Sequence, residues 1–420
     1  MTIEVQRLNP WDAWAIKACR VCSGTALTEL FSLGVQAVSD FVPADKVHDG
    51  VKCPIELVLC RGCGLVQQRY TAPQDFMYSR HYWYVSSTTK TMRDALREIT
   101  AAIEGRLDLK AGDIVIDVGS NDGCLLRSYA VDRLCRIGIE PANNLANAGN
   151  YEGLELVKSF WPCDDLLPEA KAKCITAIGM FYDSPDPSEF VAAVARSLRP
   201  DGMFIAQLMC LRQTLDLGDV GNLVHEHLEF YSLRSLQTLY GRHGLEIFDV
   251  EENNVNGGSY RVWARLKENT LPPKPKGCVQ RLEGALRWET GFEDLQTYSR
   301  FISLAKRNRD ECLAFIRRAF GEGKRTWWYG ASTKSAVLTQ WYGLWPGVIE
   351  AAADKSEEKI GKCMVGSGIP IKSCEDFRAA NPEYAIVGPW AFRQEFLKNE
   401  AEWRAKGGRF IFPLPKFEVV

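Results

Sequence analysis

Histidine is scarce in this chain: there are five in 420 residues. An active site that needs imidazole for proton transfer has few places to find it. Also missing is any uninterrupted apolar window of the roughly 18 residues that a membrane-spanning helix requires. The N-terminal "MTIEVQRLNPWDAW" has no basic start followed by an apolar run. The expectation is a cytoplasmic protein with no membrane partner. Nor does charge of one sign dominate. With 51 basic and 53 acidic residues the net charge is −2, which disfavours nucleic acid or another polyanion as partner. The length exceeds one ordinary core, so several folding units are expected.

Cysteine, by contrast, is plentiful. Ten of the 14 are scattered, as free thiols in a reducing compartment would be, but four form two close pairs. "CRVC" (Cys19, Cys22) and "CRGC" (Cys60, Cys63) can each place two thiolates on one tetrahedral ion, with Gly62 and Gly64 suiting the tight turn of the second. Zinc is the expected ion, with Cys53 as a spare. Four protein ligands leave no position open for substrate, so such a site is structural. Unrelated buried cysteines are the bland alternative.

The pattern divides the chain into three. Residues 1–75 show short apolar alternations and turn residues, a small β module. In 76–270 an amphipathic helix, "TMRDALREITAAI", leads into strands "DIVIDVG", "CRIGIE", "CITAIGM" and "GMFIAQL", with the helical "PSEFVAAVARSLRP" among them. "NTLPPKPKG" reads as a linker, and 271–420 holds a second alternation through "RTWWYGASTKSAVLTQWYGL" and "EYAIVGPWAF". The predicted fold class is α/β: an N-terminal zinc-binding β module and two Rossmann-like domains.

"DIVIDVGSNDGCLLRSY" is expected to run strand, turn, helix, with Gly119, Asn121, Asp122 and Gly123 in the turn. Asp117 and Asp122 would repel a pyrophosphate but suit the cationic end of S-adenosylmethionine. Glu140, at the end of the next strand, is placed to take ribose hydroxyls. The combination points to an adenosine cofactor, S-adenosylmethionine ahead of NAD; a plain doubly wound sheet is the alternative.

Two of the five histidines sit in "NLVHEHLEFYS". Their spacing is not the i, i+4 of a metalloprotease helix, and one ion shared by such close neighbours is sterically awkward. On an extended segment, which Gly221 and Asn222 favour, both would point to one side. Core or surface histidines are the bland readings. Downstream, "NNVNGGSYRVWARL" brings Asn256, Gly257 and Gly258, which allow close approach of backbone to a ligand, and Arg261, which can grip an anion. Upstream, "MYSRHYWYVSSTT" supplies Tyr78, His81, Tyr82 and Tyr84, suited to a sugar site, although a half-buried strand would show the same alternation.

The ordered set "CRVC…CRGCGLVQ", "HYWY", "DVGSNDG", "MFYDSPDPSEF", "HEHLEFYSL", "NGGSYRV", "GASTK" and "FIFPLP" resembles the three-domain, zinc-containing C-methyltransferases that act on nucleotide-linked keto-deoxysugars. The resemblance spans nearly the whole chain. It implies a zinc module, a central domain binding S-adenosylmethionine and a C-terminal domain holding a nucleoside-diphosphate sugar. It also implies methylation at the carbon beside a 4-keto group through an enolate. His227 takes the role of base by its place in the family motif, with Glu226 toward the sugar or orienting the base and His225 as runner-up. Tyr78, Tyr82 or Tyr84 would stabilise the enolate oxygen. Ser332, Thr333 and Lys334 of "WWYGASTK" would take the diphosphate, without the full Walker pattern of an ATPase. Some members carry a tyrosine three positions before the second histidine; Val224 stands there here, so a different substrate is expected. The competing readings are an NAD-dependent nucleotide-sugar oxidoreductase and a non-catalytic nucleotide-sugar binding protein.

Overall fold

The computed structural model describes residues 9–79, 81–145, 153–166, 169–269 and 275–420. Residues 270–274 of the expected linker lie outside them. The N-terminal unit contains β1 (Leu27–Ala37), β2 (Phe41–Val42), β3 (Lys52–Cys60) and β4 (Val66–Gln68). Helix α1 (Lys90–Glu104) follows, capped by the Thr89 hydroxyl, which accepts from the Met92 N–H. Its buried residues Met92, Leu96, Ile99 and Ile103 recur at intervals of three and four, so they form one face.

The central unit comprises β5 (Ile114–Val118), β6 (Cys135–Ile139), β7 (Leu154–Val157), β8 (Ala172–Ile178), α2 (Pro187–Ser197), β9 (Leu198–Met209), α3 (Leu211–Leu217), β10 (Glu229–Phe230), α4 (Leu233–Arg242), β11 (Leu245–Asn253) and β12 (Ser259–Leu266). Its seven-stranded sheet has the order β7-β6-β5-β8-β9-β12-β11. The first five strands are parallel, and β12 runs antiparallel to both of its neighbours. The chain therefore winds outward in opposite directions from β5 and β8, which opens a crevice at their carboxyl ends.

The C-terminal unit has α5 (Cys278–Trp288), α6 (Leu295–Gly321), β13 (Thr326–Tyr329), α7 (Thr333–Trp341), β14 (Ala352–Asp354), β15 (Cys363–Met364), β16 (Ile371–Ser373), β17 (Tyr384–Val387), β18 (Arg409–Phe412) and β19 (Glu418–Val419). Its sheet, β16-β14-β13-β17-β18-β19, is parallel except for the last strand. Both larger units are thus Rossmann-like, and the α/β class holds. Among the described residues no helix is long and apolar enough to cross a membrane.

Two expectations about local structure fail. No α-helix follows β5. Only eleven residues separate Gly123 from Cys135, the start of β6, and Cys124, Leu125 and Leu126 are all buried in a compact turn. So short a connection cannot hold a helix and still return to a parallel strand. "PSEFVAAVARSLRP" is helical only to Ser197; Leu198 is already extended, ahead of Pro200, which a helix interior would not accept.

The units are also stitched together. Strand β10 leaves the central unit to pair with β4, giving the N-terminal sheet the order β1-β3-β4-β10, and β15 pairs with β2. The Gln340 side chain of α7 exchanges two hydrogen bonds with the main chain of Ala37, at 2.8 and 3.1 Å. One apolar core runs through Leu57, Phe204 and Ile386, one residue from each unit.

Candidate active site

The four paired cysteines converge. Their sulfurs all lie within 4.8 Å of one another, with Cys19–Cys63 at 3.6 Å and Cys22–Cys60 at 3.4 Å. Thiolates 2.3 Å from a tetrahedral zinc stand about 3.8 Å apart, so the cluster suits that ion. Gly64 takes a left-handed conformation (φ 76°) and donates its N–H to the Cys60 carbonyl, the turn that folds the second pair back on itself. The Cys19 thiol is pulled down by its hydrogen bond with Cys63, while Cys63 and Cys60 are pushed up. Four such neighbours hold four negative charges only with a cation among them. Cys53 stands apart, its thiol pushed up by burial to about 12.

At the carboxyl ends of β5 and β8 lies a cleft of about 810 Å³. Of the β5 turn, Gly119 and Asn121 line it. Gly119 is left-handed (φ 67°), and a Cβ there would fall 2.6 Å from Met180. Glu140, at the end of β6, accepts from the main-chain N–H groups of Asn121 and Ala142, both at 2.9 Å, which fixes its carboxylate at the cleft wall. The Asn121 side chain donates to Tyr84 O and accepts from Ser86 N, both at 2.9 Å, so it anchors the tyrosine segment. Aromatic and apolar surface comes from Ile139, Phe160, Trp161, Met180 and Phe190. Glu140 and Asp183 line the cleft, and among the described residues no lysine or arginine does. A lining with acidic groups and no described cation offers a diphosphate no counter-charge and suits a ligand with a cationic centre better.

That preference has a different source from the one expected. Asp117 is buried, accepts from the Thr176 hydroxyl at 2.6 Å and is raised to about 7 by burial, away from the cleft. Asp122 faces Arg127 at 3.6 Å and accepts from Cys124 N, and a Cβ on Gly123 would meet Leu154 and Arg127. These three shape the turn. Asp183 was not singled out by sequence. It is 8% exposed, its Oδ1 has no partner among the described residues, and burial with the neighbouring Glu226 and Glu229 raises it well above the usual carboxylate range.

A second cavity, of about 1350 Å³, adjoins the first and shares Tyr82, Tyr84, Ser86, Ile178 and Gly179 with it. Tyr78 lines the first cavity only, and its hydroxyl donates to the Glu226 carbonyl at 3.2 Å. Burial raises both Tyr78 and Tyr82, so these phenols stay protonated and can donate. Its lining also includes Asn222, Glu226 and His227 from the central unit, and Ser332, Thr333 and Lys334 from the start of α7. Asn256, in a left-handed conformation, lines it as well.

The "HEH" segment is neither helix nor strand. It turns at His225–Glu226, with His227 N–H bonded to the Val224 carbonyl at 3.1 Å. Glu226 and His227 consequently share one wall, which a regular strand would prevent. His227 Nδ1 lies 2.8 Å from the Asn222 carbonyl, an acceptor only, so Nδ1 carries the proton and Nε2 is left bare. Burial, with Lys334 adding to it, lowers His227 to about 3, so the ring is neutral and able to accept. Glu226 is raised by burial to about 7, and its Oε2 has no partner among the described residues.

Other expected site residues lie elsewhere. His225 is 2% exposed, bonds the Cys53 carbonyl through Nε2 at 2.9 Å and does not reach the cavity. Gly257 and Gly258 make room for Trp390 and Gln213: a Cβ would fall 2.8 Å from the first and 1.7 Å from the second. Arg261 is held on strand β12 by a forked pair with Glu98, at 2.9 and 3.1 Å, and by Gln207 at 3.1 Å, so its guanidinium is engaged within the protein and does not line the cavity. Val224 is fully buried in the core.

Family models match in three consecutive stretches: a zinc binding domain at 19–78, a methyltransferase domain at 88–250 and a C-methyltransferase C-terminal domain at 254–415. The chain is 29% identical over 411 residues to C-methyltransferase NovU of Streptomyces niveus, covering 96% of this chain and 97% of that one. Solved structures are similar over smaller regions. A complex of the Haloferax volcanii Trm112 methyltransferase activator with a methyltransferase matches at 15% identity and TM-score 0.35, over 42% of this chain and 92% of that one. A SAM-dependent methyltransferase from Aquifex aeolicus matches at 17% and 0.32, over 41% and 97%.

Proposed function

We propose, from the premise that this chain is a methyltransferase with the domain arrangement of C-methyltransferases, that it methylates a carbon of a nucleotide-linked 4-keto-deoxysugar, with S-adenosylmethionine as donor. The observation that carries this reading is the pairing of cavities. A cleft with acidic groups and, among the described residues, no cation adjoins one lined by both a bare imidazole nitrogen and a lysine at a helix N-terminus.

The cofactor supplies an electrophilic methyl on a sulfonium. Glu140 is placed to accept from ribose hydroxyls, and the aromatic wall of the cleft suits a purine. In the adjoining cavity Lys334 and the Ser332–Thr333 start of α7 would hold a diphosphate. His227 Nε2 would then remove the proton from the carbon beside the ketone, and a phenol of Tyr82 or Tyr84 would donate to the enolate oxygen. The carbanionic carbon would then accept the methyl as its bond to sulfur breaks, with the neutral thioether S-adenosylhomocysteine as leaving group, and His227 would be left as an imidazolium that ionised Glu226 can stabilise. Incubating the protein with a panel of 4-keto nucleotide-sugars and methyl-labelled S-adenosylmethionine, then locating the label by NMR, tests the whole reading. Label on oxygen or nitrogen, or none on any sugar, would sink it.

Two further results are expected. Glu140→Gln should weaken S-adenosylmethionine binding roughly 10-fold by calorimetry, the scale of one hydrogen bond to a charged group. Unchanged affinity would move the ribose site elsewhere. The acid limb of kcat/KM should fall near pH 7, because Glu226 is protonated and uncharged below about 7 whereas His227 stays neutral down to about 3. Glu226→Gln should flatten that limb; if the limb persists unshifted, another group sets it.

A further inference from the structure

We propose that Gln68, a residue of the N-terminal zinc module, is a positioning residue for methyl transfer: its side-chain amide holds the turn that presents His227 to the substrate cavity. The inference rests on His227 being the base.

The turn from Val224 to Leu228 has no strand ladder of its own to fix its shape. Gln68 supplies the missing partners. Its Nε2 donates to the Val224 carbonyl at 2.6 Å and to the His227 carbonyl at 3.3 Å, and its main-chain N–H donates to the Leu228 carbonyl at 2.8 Å. Both atoms facing the amide are carbonyl oxygens, so only the nitrogen can face them. Gln68 is 1% exposed, so water does not compete for these bonds. Immediately downstream Glu229 and Phe230 pair with Gln67 and Val66, which makes the end of the histidine segment a strand of the module's sheet. On the other side His225 is tied to the Cys53 carbonyl.

The same residue connects to the cysteine cluster. Arg20, which follows Cys19, donates to the Gln68 carbonyl at 2.7 Å and to the Thr71 hydroxyl at 2.7 Å. Its Nε lies 3.5 Å from the fully buried Glu229 carboxylate. The chain of contacts therefore runs from the first cysteine pair through Arg20 and Gln68 to the carbonyl of His227. A side chain that takes a proton from carbon must be held to within a fraction of an ångström, and a shift of about 1 Å lowers the rate on the order of 100-fold.

The test compares Gln68→Leu and, should that variant not fold, the longer and more flexible Gln68→Met, with His227→Asn as reference. Three quantities are read: kcat and KM, S-adenosylhomocysteine affinity, and the ¹⁵N signals of the histidine rings, His227 being assigned by its disappearance in His227→Asn. The expected result is a kcat lowered roughly 10- to 100-fold, with cofactor affinity and zinc content as in the wild type. The His227 signals should shift from a fixed Nδ1–H tautomer toward an average of the two. A merely structural role would leave kcat and the tautomer unchanged at a temperature where the variant is folded, and that result overturns the proposal. Loss of cofactor affinity and zinc in step with kcat also overturns it. Wild-type turnover in His227→Asn would instead sink the base assignment itself.

Discussion

His227→Asn should abolish methyl transfer, with kcat down by roughly 100- to 10,000-fold, while S-adenosylmethionine affinity changes by less than about twofold. The magnitude follows from the acidity of the substrate: a proton beside a ketone is not surrendered to water near neutral pH without a positioned base. The selectivity follows from the geometry. His227 lines the second cavity and is not among the residues of the cofactor cleft. Asparagine can preserve a hydrogen bond toward the Asn222 carbonyl but offers no basic nitrogen. His225→Asn, by contrast, should lower turnover far less than His227→Asn, because that ring faces no cavity and only ties the segment to the Cys53 carbonyl. Steady-state kinetics with calorimetry on both variants checks the pair. Full turnover in His227→Asn would move the role to Glu226, a group not expected to be the base, which burial brings to about 7 in the same cavity.

Signals confined to a few residues were legible in the sequence. Two C-x-x-C pairs state their own ligand geometry, and the structure brings those sulfurs together. The alternation of strands and helices likewise gave two Rossmann-like units. What could not be read were consequences of packing between distant segments. Spacing left the side-chain direction of "HEH" open between core and cavity; the turn that separates buried His225 from cavity-facing His227 depends on Gln68, more than 150 residues earlier. Arg261 had the right chemistry for an anion, yet its strand aims it at Glu98 of α1. Asp117 and Asp122 suggested a cationic cofactor, but the carboxylates that line the cleft are Glu140 and Asp183. Asp183 sits inside "MFYDSPDPSEF", and nothing in that string reveals that its carboxyl is buried at the cleft. Val224 also changes meaning. It is fully buried, so the departure from tyrosine lies in the core and not on the cavity wall.

Replacing Cys60 and Cys63 together by serine should lower bound zinc from about one per chain to near none, and should remove methyl transfer as well. The first part follows from the ligand set, since two thiolates do not hold a structural zinc against solvent. The second follows from the sheet. A zinc site in a small module contributes much of that module's folding energy, on the order of 10 kcal/mol in isolated fingers. Here β3 and β4 also pack into the common core, which retains part of the fold without metal. The second cysteine pair, however, closes the turn between β3 and β4, and β4 carries Gln68 and pairs with β10. Loosening that turn releases the histidine segment first, while the cofactor cleft, built on β5, β6 and β8, is affected last. The double variant is therefore expected to melt roughly 10 °C or more below the wild type and to lose most of its kcat. Below that melting point it should still bind S-adenosylhomocysteine. Metal analysis, a thermal melt and calorimetry on one preparation distinguish these effects. A wild type free of metal, or a double variant with full activity, would separate the cysteine cluster from the chemistry altogether.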